Sequence, residues 1–256
     1  MVEVSAVLVT DAAADKLNVP PELAQLLEDF SAVFEPPSGL PPERACDHSI
    51  PLVEGASPVV VRPYRYPPAV KDEIERHIIS MLQEGIVQHS TSPFSSSVLL
   101  VKKKDKTWRF CVDFRHLNAI TAKCKYPVPL IDDFLDELGK ASWFTSLDLT
   151  AGYHQVRLKA EDTHKTAFQT HTGHYEFRVM PFGLSGAPAT FQKAMNTILA
   201  PLLRKCDLVF FDDIIIYSKT YEEHLEHVKM VLQLLAKDHW QVKFKNAHLL
   251  RGRCPT

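Results

Sequence analysis

Three aspartates stand where their side chains could share divalent cations. Asp148 ends an apolar, strand-like run, and the adjacent pair Asp212 and Asp213 separates two wholly apolar runs, 208–211 and 214–216. Clustered carboxylates repel one another unless protons or cations neutralise them. Hard oxygen ligands with room for water and phosphate oxygens favour Mg²⁺. If the three side chains meet, they predict nucleotidyl transfer, with two ions activating a primer 3′-hydroxyl and stabilising the pyrophosphate leaving group.

An aspartate pair between two strands is also what an ordinary hairpin turn contains, because Asp is common in turns. This turn lacks the glycine that tight hairpins usually require. In addition, unpaired charge beside such apolar strands is costly. Both points favour a functional role, and the turn interpretation stays open.

The elements around the aspartates predict a split β-α-β sheet. From Trp143 onward, with the segments between Tyr153 and Pro188 set aside as an insertion, the order is strand, helix, strand, strand, helix, strand. A right-handed crossover makes the first two strands parallel, with the third antiparallel between them. Asp148 and the pair Asp212–Asp213 then lie at the same edge of the sheet.

The rest of the chain predicts an α+β protein. Apolar residues recur at helical spacing before Gly85, and a β-hairpin with a basic tip follows. Thr220 and Glu223 form a capping box at the start of a long helix that runs to Ala236. We further predict a helix after Pro127 and Pro129, a helix over 189–203, and strands over 98–101, 108–114, 143–149, 153–158, 165–170, 175–180, 208–211, 214–217 and 242–244.

Composition excludes several classes of protein. The 256 residues carry a net charge of -2, so the overall charge gives no sign, for or against, of a nucleic-acid partner. The five cysteines show no zinc-ligand spacing, and their odd number suggests reduced, intracellular thiols. No stretch reaches membrane-spanning length. His224 and His227 share a helix face without a third ligand at a telling spacing, so we predict solvent-exposed histidines.

Several ordered motifs resemble the reverse transcriptase of Gypsy-type long-terminal-repeat retrotransposons and, more distantly, the retroviral enzymes. The likeness runs from about Leu40 to Lys243. The motifs that carry it are WRFCVDFRHLN (108–118), SLDLTAGYHQV (146–156), VMPFGLSGAPATFQ (179–192) and FFDDIIIYS (210–218). The resemblance implies a right-hand polymerase with fingers and palm, the palm being a split β-α-β, ferredoxin-like antiparallel sheet with helices on one face.

The same resemblance implies roles for individual residues. Asp148, Asp212 and Asp213 would be the catalytic, metal-binding triad for two Mg²⁺ ions, with Mn²⁺ as an alternative. Lys103 and Arg109 would grip the incoming triphosphate. A solvated turn is the plainer interpretation of the basic tip, and Arg and Lys also suit phosphate oxygens.

Three aromatic residues have implied roles in the nucleotide pocket. Tyr153 matches the family's gate against a ribose 2′-hydroxyl, and packing within the core is the alternative. Phe182 and Phe211 match positions that line the nucleotide and the primer end, although aromatic residues beside strands are usually core. Phe182 replaces a polar residue of the retroviral pattern, and Ser185 and Gly186 depart from the usual Gypsy-type Thr-Asn.

The implied organisation has four parts. Residues 1–57 would be a Pro-rich, partly disordered connector, 58–122 and 156–186 the fingers, 123–155 and 187–245 the palm, and 246–256 a divergent tail. Family members continue into a thumb, a connection and a ribonuclease H domain, and the tail does not resemble the thumb entry.

The implied partners are an RNA or DNA template with its primer and deoxynucleoside triphosphates (dNTPs), with no membrane. A cytoplasmic location, including a virus-like particle, or a nuclear one is expected. The competing hypothesis is an inactive element remnant that binds a nucleic acid or another partner. The intact aspartate triad favours descent from an active enzyme.

Overall fold

The computed structural model describes residues 21–103, 106–122, 126, 138, 141–149, 152–210 and 213–251. Two β-sheets and their helices share one hydrophobic core. The helices are α1 (Pro21–Asp29), α2 (Pro68–Gln83), α3 (Arg115–Ala119), α4 (Ala187–Ile198) and α5 (Tyr221–Lys237). The strands are β1 (Val87–His89), β2 (Ser96–Lys102), β3 (Trp108–Asp113), β4 (Trp143–Leu149), β5 (Phe168–Gln169), β6 (His174–Phe177), β7 (Asp207–Phe210), β8 (Asp213–Ser218) and β9 (Val242–Arg251).

The four-stranded sheet has the order β7-β8-β4-β9. Strand β8 pairs antiparallel with both β4 and β7, so β4 and β7 are parallel to each other with β8 between them. This is the arrangement that the sequence predicts, and the split β-α-β fold is confirmed. Helices α4 and α5 pack against this sheet.

The five-stranded sheet has the order β1-β6-β5-β2-β3. Its predicted basic hairpin is formed by β2 and β3, which pair antiparallel from Ser97–Asp113 to Lys102–Trp108. Beyond the last pair, the amide of Lys103 donates to the carbonyl oxygen of Thr107 over 2.8 Å. The two strands of the hairpin therefore remain hydrogen-bonded as far as Lys103, the first candidate phosphate ligand.

Helix α5 begins at the predicted capping box. The Thr220 side chain accepts a hydrogen bond from the amide of Glu223, and the Glu223 carboxylate accepts one from the amide of Thr220. Two otherwise unsatisfied amides are thereby paired. The helix buries Val228, Val231 and Leu232 against the core.

The segment between the two halves of the four-stranded sheet is less extended than predicted. Residues 152–155 and 163–166 form 3-10 turns, and the only strand within 165–170 spans Phe168–Gln169. Val156 and Leu158 are nevertheless buried. The prediction that these side chains are buried is therefore confirmed, and the prediction that they lie in a strand is wrong. A turn followed by isolated β-bridges buries the same side chains.

The prediction that His224 is exposed to solvent is wrong. His224 is 0% exposed, and its two ring nitrogens lie 2.8 Å from the Thr145 hydroxyl and 3.0 Å from the Ser218 hydroxyl. His227 lies 2.7 Å from the same Ser218 hydroxyl. The two hydroxyl partners belong to β4 and β8. His224 is therefore buried by contacts with distant parts of the chain, which the sequence of the helix itself does not reveal.

Residues before the first strand contribute to the same core. Leu23 and Leu27 of α1 and Ile50 are buried, and α1 contacts α5. The helix predicted after Pro127 and Pro129 falls, apart from the helical Leu138, outside the described residues. Among the helices that the structure describes, none combines the length and the apolar character needed to cross a bilayer.

Candidate active site

Asp148 and Asp213 lie directly opposite each other on neighbouring strands. Their Cα atoms are register partners in the antiparallel pairing of β4 with β8. Side chains of such partners project from the same face, with Cβ atoms about 4.5–5.5 Å apart. Alternation along β4 buries Thr145, Leu147 and Leu149 and leaves Asp148 half-buried. The two carboxylates therefore stand side by side on the more open face of the sheet.

This proximity has an electrostatic cost. Partial burial of the carboxyl group and the nearby Asp148 carboxylate both raise the pKa of Asp213, although Asp213 as a whole residue is exposed. Like charges that face each other across two strands destabilise the pair. A divalent cation between the two side chains would remove that repulsion, so the donor set fits a hard cation.

The remaining members of the predicted cluster lie outside the described residues. Phe210 of β7 pairs with Asp213 of β8, and only residues 211 and 212 connect them. Asp212 and Phe211 are therefore bounded on both sides by described strands. In the described part of the chain, no three His, Cys, Asp or Glu side chains are grouped to hold a metal.

A lysine that the sequence analysis did not select lies on the other side of Asp148. Lys243 of β9 is the register partner of Asp148, and it is exposed. Asp213, Asp148 and Lys243 thus form a row across three strands. The predicted strand 242–244 included this lysine, but its register against β4 depends on a bulge between Ser146 and Asp148. No local signal in the sequence reveals that register.

The two candidate phosphate ligands lie on the hairpin of the other sheet. Lys103 and Arg109 are both exposed, and Arg109 is the register partner of Val101. The neighbouring Lys102 places its ammonium nitrogen 5.8 Å from the centre of the Trp108 ring. The structure thus presents the cations to solvent on a paired β-hairpin, which suits either a phosphate-binding role or a solvated tip.

Tyr153 and Phe182 are brought together. Tyr153 lies in the 3-10 turn Gly152–Gln155, and its ring centre is 5.0 Å from that of Phe182 and 5.4 Å from that of buried Phe191. Phe182 is 51% exposed. The Tyr153 ring therefore connects the core to an exposed aromatic surface, and this position is compatible with both the gate and the packing interpretations.

The turn that carries Phe182 is held by Asn118. The Asn118 amide donates to the carbonyl oxygen of Gly183 over 2.8 Å and accepts from the amide of Ser185 over 2.9 Å. Gly183 has a φ of 97°, which side-chain-bearing residues rarely adopt. The departures at Ser185 and Gly186 leave this turn intact.

Comparison with known proteins identifies the family. The family model described as reverse transcriptase (RNA-dependent DNA polymerase) matches residues 101–249. The chain is 41% identical over 234 residues to the retrovirus-related Pol polyprotein from transposon opus of Drosophila melanogaster, covering 89% of this chain and 23% of the relative. It is 39% identical over 184 residues to the corresponding polyprotein from transposon gypsy of the same species, covering 70% of this chain and 18% of the relative.

A yeast relative and solved structures agree with this assignment. The Tf2-3 transposon polyprotein of Schizosaccharomyces pombe is 35% identical over 233 residues, covering 90% of this chain and 17% of the relative. A foamy viral protease-reverse transcriptase in complex with an RNA/DNA hybrid matches with a TM-score of 0.80 at 23% identity, covering 91% of this chain and 32% of that chain. The same viral protein, in a form bound to double-stranded DNA, also has a TM-score of 0.80 at 23% identity, covering 91% and 42%.

The chain spans less than a quarter of the length of these curated relatives. The structural matches bear on the fold and confirm the α+β, fingers-and-palm architecture. With a family model that covers more than half of its residues, the chain belongs to the reverse transcriptase (RNA-dependent DNA polymerase) family, as a reverse transcriptase domain of the retrotransposon Pol polyprotein type.

Proposed function

We propose that this chain is an RNA-directed DNA polymerase that transfers a nucleotide from a dNTP to a primer 3′-hydroxyl. In this reaction a bond forms between the 3′-oxygen and the α-phosphorus. The bond from the α-phosphorus to the bridging oxygen breaks, pyrophosphate leaves and the hydroxyl proton is released. The observation that carries the proposal is the register pairing of Asp148 with Asp213 where the two inner strands of the four-stranded sheet, β4 and β8, meet at one end of the sheet.

Asp148, Asp213 and the adjacent Asp212 would hold two Mg²⁺ ions, which Mn²⁺ could replace. When bound, such ions supply Lewis-acid stabilisation of the attacking and leaving oxygens. The support for this assignment is the repulsion between the two described carboxylates, which a hard cation relieves.

Other residues would bind and orient the substrates. The exposed cations Lys103 and Arg109 would contact the triphosphate, because ammonium and guanidinium groups pair well with phosphate oxygens. Tyr153 would exclude a ribose 2′-hydroxyl by volume. Phe182 and Phe211 would line the nucleotide and the primer end, and the exposed ring of Phe182 is compatible with that role.

The two sheets would correspond to the two parts of a polymerase. Residues 58–122 and 156–186, which contain the five-stranded sheet, would be the fingers. Residues 123–155 and 187–245, which contain the four-stranded sheet up to the start of β9, would be the palm. An RNA or DNA template with its primer would lie against both, as supported by the fold match to viral reverse transcriptases bound to nucleic acid.

Primer extension tests the proposal. The 256-residue chain is incubated with a primed RNA template, dNTPs and Mg²⁺, and its extension rate is compared with those of Asp148→Asn and Asp213→Asn. Each variant is expected to lose about a hundredfold to a thousandfold in rate, as when charge-stabilising groups are removed from other active sites. Asp207→Asn is the matched control, because it makes the same chemical change on β7, and it should extend the primer normally.

A chain that does not extend primers, or extends them equally well without Asp148 and Asp213, would contradict the proposal. In the first case, binding of the primed template without extension would instead identify a nucleic-acid-binding remnant. In the second case, the carboxylate pair would be structural.

A further inference from the structure

The turn that holds Tyr153 is a single short 3-10 turn. It comprises Gly152–Gln155, and the amide of Val156 donates to the carbonyl oxygen of Tyr153 over 3.1 Å. A single 3-10 turn has poor hydrogen-bond geometry and is rarely stable alone. The position of the Tyr153 ring therefore depends on what holds the turn in place, in addition to the packing of the ring itself against Phe182 and Phe191.

Gln155 provides such contacts through its buried side chain. Its amide nitrogen donates to the carbonyl oxygen of Gln241 over 2.7 Å, and its amide oxygen accepts from the amide of Gln241 over 2.9 Å. Gln155 is 3% exposed. The side chain thus pairs with both backbone groups of one residue, as a neighbouring strand would, and it fixes distance and orientation together.

The partner of Gln155 lies between a buried residue and a paired strand. Gln241 precedes β9, whose Val242 and Lys243 pair with Leu149 and Asp148 of β4. The neighbouring Trp240 is fully buried, and its ring packs against Phe191, which also contacts the Tyr153 ring. The turn is thereby tied to the strand beside the candidate catalytic aspartate.

Arg44 links the same turn to the same segment of chain. Its guanidinium group donates to the carbonyl oxygens of Gln155, Asp238 and His239. It also lies 4.2 Å from the centre of the Trp240 ring. Because the planar guanidinium group is stacked on a ring and hydrogen-bonded to three carbonyl oxygens, it restricts the movement of the backbone segments that it contacts. Gln155 and Arg44 together clamp the turn to the segment 238–241.

We propose that Gln155, supported by Arg44, is a positioning residue that sets the location of the Tyr153 ring and thereby the preference for deoxynucleotides over ribonucleotides. The inference rests on the proposed polymerase function. Gln155 touches no reacting atom, and it acts only through the turn. Removal of its amide leaves the paired backbone groups of Gln241 unsatisfied in a partly buried position, so the turn and the ring lose the contact that fixes their place.

The first test measures sugar discrimination. The ratio of kcat/KM for a dNTP to that for the ribonucleotide with the same base is determined for the full chain and for Gln155→Met, which keeps length and loses both hydrogen bonds. The ratio is expected to fall by about tenfold, mostly through faster ribonucleotide incorporation, because a displaced ring clashes less with the ribose 2′-hydroxyl. Rates respond to ångström-scale displacements by up to about a hundredfold, so a tenfold change is within reach of such a shift. Arg44→Met should lower the ratio as well, while Arg44→Lys, which keeps the charge, should lower it less.

Thr145→Val is the matched control. It also removes one buried side-chain hydrogen bond from the same domain, in this case to His224, without contact to the turn. Its ratio should match that of the unmodified chain even if its stability falls. A general loss of stability would affect all these variants alike, whereas a positioning role changes the ratio only in the Gln155 and Arg44 variants.

A second measurement does not depend on catalysis. Tyrosines are replaced by 3-fluorotyrosine, and the ¹⁹F resonance of Tyr153 is assigned by its loss in Tyr153→Phe. Gln155→Met should shift or broaden this resonance, and Thr145→Val should leave it unchanged. An unchanged resonance in Gln155→Met, or an unchanged ratio in an active Gln155→Met protein, would overturn the proposal. A shifted resonance in a chain that never extends primers would support the clamp and count against the polymerase function.

Discussion

Asp148 is the register partner of Asp213 on one side and of Lys243 on the other. A carboxylate between a like and an opposite charge experiences repulsion and attraction from neighbours at similar spacing. Asp213, at the end of this row of three, has the carboxylate of Asp148 as its charged register partner. The repulsion within the candidate site is therefore concentrated at the Asp213 end, where a cation would relieve it most.

Asp213→Asn should stabilise the metal-free protein. Removal of one like charge from a facing pair is expected to raise the free energy of unfolding by about 0.5 kcal/mol, a modest value because Asp213 is exposed and solvent screens the pair. Urea unfolding in chelator at low ionic strength measures the difference. Asp72→Asn, which removes an exposed carboxylate on α2, should have no comparable effect. If Asp213→Asn is less stable than the unmodified chain in chelator, the pair is not repulsive.

Asp207 should make the protein less stable as the pH rises. It is 0% exposed, and its carboxyl oxygens have no well-formed hydrogen bond to any other described residue. Burial raises its pKa to about 7 from an ordinary value of 3.8 and outweighs the lowering effect of its own backbone amide. Because the folded state holds this proton more tightly than the unfolded state, the penalty is absent below about pH 4. It grows through the interval up to pH 7, and its upper limit is on the order of 4 kcal/mol.

Asp207→Asn should remove this dependence. The amide has the shape of the protonated acid and cannot ionise, so the variant should be more stable than the unmodified chain at pH 8 and nearly equal to it at pH 4. Thermal unfolding at both pH values measures this. Equal stabilisation at both pH values would show that the carboxyl group does not titrate in this interval.

His224 should have the opposite dependence on pH. Burial lowers its pKa to about 4 from 6.5, with a smaller contribution from nearby His227. The unfolded state therefore binds the proton more readily, and stability falls as the pH decreases from about 6.5 to 4. His224→Gln, which keeps hydrogen-bonding capacity for the Thr145 and Ser218 hydroxyls, should reduce this loss. The stability of the variant is followed by denaturant unfolding between pH 4 and pH 7, with the exposed His116→Gln as the control. If His224→Gln loses as much stability between pH 6.5 and pH 4 as the unmodified chain, other groups are responsible for that loss.

Lys103→Ala and Arg109→Ala should weaken dNTP binding. Each removes a cation from the β2–β3 hairpin, and each should raise the KM for dNTP by about tenfold, the equivalent of one charge-assisted contact. Lys106→Ala, an exposed lysine in the same turn, should change KM little. Steady-state extension with varied dNTP concentration distinguishes these outcomes. Equal effects from all three substitutions would indicate a diffuse electrostatic role for the tip.

The order of helices and strands along the chain was enough to predict part of the candidate site, and contacts between distant segments account for the part that was missed. Alternation and crossover handedness were sufficient to place Asp148 and Asp213 at one edge of one sheet, because these rules act between neighbouring elements. Lys243 was missed because its place depends on a bulge in a strand pairing between distant parts of the chain. His224 and Gln155 were missed for a related reason: their hydrogen-bond partners lie far along the sequence, and a polar side chain on its own indicates exposure.

Strand β9 pairs with β4 near both of its ends, at Leu149–Val242 and Asp148–Lys243 and again from Ser146–His248 to Trp143–Arg251, with a shift of register between the two stretches. During synthesis, β4 therefore leaves the ribosome long before either of its two neighbours, β8 and β9, exists, and its open edges offer unpaired amides and carbonyls to any extended segment nearby. Pairing between distant segments also slows folding. Nascent chains of this protein should consequently depend on chaperones until residue 251 has been released, and this interval is when aggregation competes most strongly with completion of the sheet.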